Sequence, residues 1–171
     1  MADTVTRYGF VSRFFHWLMA LGFAWMLFTA ACRFFAKDSA LTKAIFFYHG
    51  QVGFTLLWLG VLRILWAVTQ SKNRPVNGLL VKAGHGAMYL LMLVVPTLAL
   101  MRAFGSDREF SYFGVPVFET IGVKTEWMVN LANTAHGNLG WLLFLIIIGH
   151  IAMTIKHRLA GPEYDVLPRM K

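Results

Sequence analysis

Residues 126–157 read EWMVNLANTAHGNLGWLLFLIIIGHIAMTIKH, and nothing between Glu126 and Lys156 is charged. About 20 apolar residues suffice to carry a helix across the hydrocarbon core, at about 1.5 Å of rise each. The stretch therefore predicts a membrane-spanning helix over 126–157. It also carries His136 and His150, 14 residues apart. That spacing separates them by about 21 Å along the axis. At about 100° per residue they stay within about 40° of one face. One helix face thus presents an imidazole at each leaflet.

Working outward, three more charge-free windows appear. Arg13 to Arg33, Lys43 to Arg63 and Lys82 to Arg102 each enclose 19 uncharged residues. They predict helices over 13–35, 42–68 and 79–102, with Pro96 kinking the third. The expectation is an all-α integral membrane four-helix bundle in which residues 1–171 form a single domain. Charged residues make up 14% of the chain, against about a quarter in soluble domains. The first apolar run exceeds a signal-peptide core and lacks a small-residue cleavage site, so it is expected to be retained. The connection 103–124 is too polar to span, yet rich enough in Phe and Tyr to lie at the interface.

The net charge of +8 raises the question of nucleic acid. The basic residues form no aromatic-interleaved patch, however, and sit at the window ends as membrane-flanking charges do. With the N-terminus inside, the inner segments hold Arg7, Arg13, Lys72, Arg74, Lys82, Lys156, Arg158, Arg169 and Lys171. The outer ones hold Arg33, Lys37, Lys43, Arg102, Arg108 and Lys124. This bias puts both termini on the cytoplasmic side.

Helix direction then assigns each histidine a depth. His49 and His136 fall in the outer leaflet; His16, His85, His150 and His157 fall at or near the inner one. A lone intramembrane histidine often only hydrogen-bonds a neighbouring helix, but here His49 is available to His136 and His16 to His150. Structural zinc wants four N or S ligands, and the single cysteine, Cys32, supplies neither a cluster nor a c-type attachment motif. Haem iron needs only two axial ligands, so two histidine pairs suit two b-type haems. Gly53, Gly60, Gly137, Gly140 and Gly149 fit a groove for a flat macrocycle, and equally fit ordinary small-residue helix packing. Arg63, 14 residues after His49, is read either as the partner of a haem propionate or as a side chain snorkelling to the headgroups.

Several short motifs now come together: His16-Trp17-Leu18, His49 with Arg63 downstream, and Gly84-His85 before Tyr89-Leu90-Leu91. Phe113-Gly114-Val115-Pro116, the His136/His150 pair and the terminal Leu167-Pro168-Arg169 complete the set. Their order and spacing resemble the bacterial cytochrome b561 family, small inner-membrane dihaem proteins, along nearly the whole chain. The resemblance implies one haem b held by His16 and His150 and another by His49 and His136. It further implies a superoxide oxidase, taking electrons from superoxide outside and reducing ubiquinone near the inner side.

On that reading the outer cations Lys37, Lys43, Arg102 and Lys124 could steer superoxide, or serve only as membrane-flanking charges. His85, His157 and Ser12 become candidate quinone-site residues, with His157 also readable as an interfacial cation. The alternative is a non-catalytic electron-transfer subunit linking quinol to an unknown periplasmic or membrane protein. A transport or structural bundle without haem is the third reading.

Overall fold

The computed structural model describes residues 2–170 except 74, 76 and 77. Arg74 and Lys171, counted above among the inner charges, lie outside the described residues. Four long helices dominate: α1 (Phe10–Phe35), α2 (Ala40–Thr69), α3 (Leu79–Gly105) and α4 (Glu126–Ala160). All four are long and apolar enough to cross a membrane. Each overruns its charge-free window at one end or both. The reason is geometric: at 35 residues α4 is about 52 Å long against a core of about 30 Å. Flanking Lys and Arg stay helical while their charged ends reach the headgroups.

The packing order is α1 on α2, α2 on α3 and α3 on α4. Leu56, 4% exposed, fills the α1–α2 contact against Gly22, where a Cβ would lie 2.8 Å from its Cδ2. At the end of the bundle that carries the connection 106–125, read above as the outer one, Gly105 lets α3 meet α4; a Cβ there would stand 2.7 Å from the Met128 Cβ. The Thr125 N–H completes this junction by donating to the Gly105 carbonyl at 2.8 Å. Leu21, Leu65, Leu90 and Leu145 are all more than half exposed, as hydrocarbon-facing side chains should be. Pro96 removes one N–H from α3, and the Thr97 hydroxyl donates to Leu93 O at 2.7 Å in the disturbed turn.

The long outer connection adds an element that the all-helical expectation lacked. Strands β1 (Phe110–Tyr112) and β2 (Val115–Phe118) form an antiparallel hairpin. Its two turn residues, Phe113 and Gly114, have φ of 46° and 89°, the left-handed pair a tight two-residue turn requires. Gln51 of α2, 3% exposed, clasps the hairpin. Its amide donates to Ser111 O at 3.1 Å and its carbonyl accepts the Phe113 N–H at 3.0 Å.

At the opposite end the N-terminal segment is tied down by Asp3, also 3% exposed. One carboxylate oxygen accepts the Gly9 N–H at 2.8 Å and the other the Ser12 hydroxyl at 2.8 Å. Nearby, the Tyr8 N–H donates to Arg169 O at 3.1 Å and the Trp17 indole to Met170 O at 3.0 Å. The described N- and C-terminal segments therefore meet at one end of the bundle.

Candidate functional site

The outer half of the bundle encloses a cavity of about 480 Å³, within the usual range for cofactor sites of about 300–1,000 Å³. His49 of α2 and His136 of α4 both line it, among Phe46, Phe54, Phe110 and Phe144. Glycines open its walls. A Cβ on Gly137 would meet nothing within 4 Å, and one on Gly140 would come no closer than 3.9 Å to Val95. These two glycines border space, whereas Gly22 and Gly105 admit a neighbouring helix. Gly60 stands between these cases, its Cβ position 3.5 Å from Leu93.

Each outer imidazole is anchored through Nδ1. His136 Nδ1 lies 2.9 Å from Val95 O; a carbonyl only accepts, so this nitrogen carries the hydrogen. His49 Nδ1 lies 2.8 Å from Thr29 Oγ1, which is itself 3.0 Å from Trp25 O and 3.1 Å from Met26 O. With the hydroxyl hydrogen given to a helix carbonyl, the Thr29 oxygen accepts from His49 Nδ1–H. Phe46 stacks on the His49 ring at 4.9 Å and 11°. Both side chains thereby present a bare Nε2, held as metal-ligating histidines are held by an acceptor on the other nitrogen.

The inner end gathers three histidines. The ring centres of His16 and His150 are 6.3 Å apart. An imidazole nitrogen binds a first-row metal at about 2.0–2.1 Å with its ring centre about 1.1 Å behind, so two rings flanking one ion sit about 6.3 Å apart. The His16–His150 pair has that separation. His85 approaches His150 to 5.4 Å, too close for the same arrangement, and its Nδ1 donates to Val81 O at 2.7 Å. His157 lies two turns beyond His150, half-buried and without a ring contact to this cluster.

Arg63 does not reach the headgroups. It is 9% exposed and donates from Nη1 to Ser12 O at 2.7 Å. No carboxylate among the described residues pairs with it, so a buried cation beside His16 is left wanting an anion. Ser12 corrects one expectation. Its side chain is fully buried, its hydroxyl hydrogen goes to Asp3, and its oxygen accepts the Trp66 indole N–H at 2.9 Å. A hydroxyl so engaged has no hydrogen left for a quinone carbonyl.

The four outer cations are all exposed and none lines the cavity. Lys124 instead faces a separate polar depression with Arg108, Glu126 and Asn130. Sequence reading missed Thr29, Gln51 and Asp3. For Thr29 the available signal was position: a threonine on an otherwise apolar face at the depth of His49. Gln51 carried none, since its partners lie some 60 residues away in the chain, and Asp3 carried none, since it precedes the first apolar window.

Two comparisons with known proteins accompany this geometry. Residues 7–171 match the family of prokaryotic cytochrome b561. "Cytochrome b561 homolog 2" of Escherichia coli (strain K12) is 27% identical over 178 residues, covering 98% of this chain and 93% of that protein.

Proposed function

The chain belongs to the prokaryotic cytochrome b561 family, and from that premise we propose that it is a superoxide oxidase delivering electrons to ubiquinone. Membership makes it an integral membrane oxidoreductase that binds b-type haem. The finer reading is that two haems are held, by His49 with His136 and by His16 with His150. The observation that carries it is the pair of histidine sets on α4, one at each end, each facing a histidine of another helix. Bound b-type haem supplies one-electron exchange at its iron.

The rest is done by the chain. The Val95 carbonyl and Thr29 hydroxyl orient the outer imidazoles, and the apolar cavity wall excludes water. Arg63 offers its remaining N–H groups to a propionate at the inner site. Lys37, Lys43, Arg102 and Lys124 act at range, raising the local concentration of a small anion outside the bundle. His85, with Nδ1 held by Val81 O, keeps Nε2 for a quinone oxygen, and His157 serves as a proton source nearer the inner surface. Ser12 contributes by holding Arg63. In net terms two superoxide ions lose one electron each and leave as dioxygen. Ubiquinone takes both electrons with two protons and leaves as ubiquinol. Cytoplasmic termini and an inner-membrane location belong to the same reading, since they place the anion-collecting face outside.

Stopped-flow mixing of the purified protein with superoxide, with and without ubiquinone, tests this. Rapid reduction of the haem bands, followed by quinone-dependent reoxidation without any added protein, is expected. Bands that superoxide leaves oxidised would instead favour the electron-transfer subunit. A second expectation concerns the outer anchor. Thr29→Val removes the acceptor on His49 Nδ1 and should weaken outer-haem retention about tenfold or more. Haem titration of the purified variant measures it.

A further inference from the structure

The outer cavity has a cation at its mouth that the charge pattern had assigned to the membrane flank. Arg33, in the last turn of α1, lines the cavity together with His49 and His136. Its guanidinium carbon lies 5.4 Å from the centre of the Phe46 ring, the ring that stacks on His49. No carboxylate among the described residues pairs with it, and the side chain is exposed. A flanking arginine with no other task extends away from an apolar wall toward headgroups. Arg33 is instead held against an aromatic face beside the histidine.

A cation–π contact uses the charge of the guanidinium and commits none of its N–H groups to a hydrogen-bond acceptor. Those donors form a fork suited to anionic oxygen. The other outer cations have no comparable position, because none of the four reaches the cavity. We propose that Arg33 is the anion-receiving residue of the outer cavity, presenting its in-plane N–H groups to a small anion or a carboxylate beside His49. The chemistry has two sources: a diffusing anion such as superoxide, or a carboxylate of the macrocycle bound in the cavity. The inference rests on the reading that this cavity holds haem, and not on which reductant is physiological.

The test uses the haem-loaded protein with Arg33→Gln and Arg33→Lys, and two reductants. Dithionite acts through the anionic sulfur dioxide radical, which gives up one electron and leaves as sulfur dioxide; duroquinol is neutral. For a diffusing anion, Arg33→Gln should slow reduction by dithionite about three- to tenfold at low salt. The difference should shrink as ionic strength rises. Duroquinol rates should stay at the parent value, and Arg33→Lys should recover most of the loss. For a macrocycle carboxylate, Arg33→Gln should instead lower haem retention or shift the outer midpoint potential, and slow both reductants alike.

A Gln variant equal to the parent in both rates, in potential and in haem content would overturn the assignment. Haem bands in the parent that superoxide fails to reduce would count against the superoxide reading alone. The dithionite comparison would still decide Arg33.

Discussion

His136→Ala is expected to purify with half the haem of the parent, its reduced-minus-oxidised difference spectrum halved and the remaining band that of the inner site. The imidazole touches the protein through one hydrogen bond, to Val95 O, and otherwise faces the cavity. Truncation therefore removes a ligand and enlarges a space that already exists, without placing a new clash in the helix contacts. The inner pair is about 21 Å away along α4 and draws His16 from a different helix, so it should keep its haem. With the outer site gone, reduction by superoxide should fall by at least tenfold, because an axial ligand is lost outright rather than loosened. Pyridine haemochrome quantification and stopped-flow absorbance measure the two effects. A variant that retains full haem would break the proposed pairing.

Arg63→Met is the second large effect, and its sign follows from charge. Reduction of an iron site adds negative charge, so a nearby cation favours the reduced form. Removing a buried guanidinium that no carboxylate among the described residues pairs with should therefore lower the inner midpoint potential, on the order of 50–100 mV at an effective dielectric of about 20. Methionine keeps an apolar stem of similar length, but leaves Ser12 O without its 2.7 Å donor. A modest loss of thermal stability is expected alongside, about 1.5–3 kcal/mol for a lost charge-assisted hydrogen bond to a helix carbonyl. Potentiometric titration of the two haem bands separates the effects, since only the inner band should move. An inner potential equal to the parent's would take Arg63 out of contact with any propionate.

Much of this arrangement was legible because a membrane simplifies the reading. Hydrocarbon excludes charge, so Arg13, Arg33, Lys43, Arg63, Lys82, Arg102, Glu126 and Lys156 marked the four helices. Their overrun was hidden, since helices continue into the headgroup layer where charges are tolerated. The β-hairpin was hidden for a different reason. Its turn uses Phe113 at φ 46°, a conformation phenylalanine seldom adopts, and Gln51 stabilises it from 60 residues away in sequence.

The place of each histidine along its helix followed from spacing alone, because a helix converts residue number into distance. The means of holding each ring did not, since Thr29 and Val95 sit on helices other than those of the imidazoles they anchor. Arg63 shows the same division. Its place inside the helix predicted over 42–68 marked it as unusual, while its burial against Ser12 O, in place of a reach to the headgroups, depended on how α1 lies against α2.

By itself, then, the amino-acid sequence determined the solvent, the number of spans and the place of every imidazole along its span, all of which depend on position along one helix. Tertiary structure alone decided which glycines open onto a cavity, which serine is already engaged by an aspartate, and which arginine stands at the cavity mouth. Those depend on approaches between helices, and local periodicity carries no information about the distance from one helix to the next.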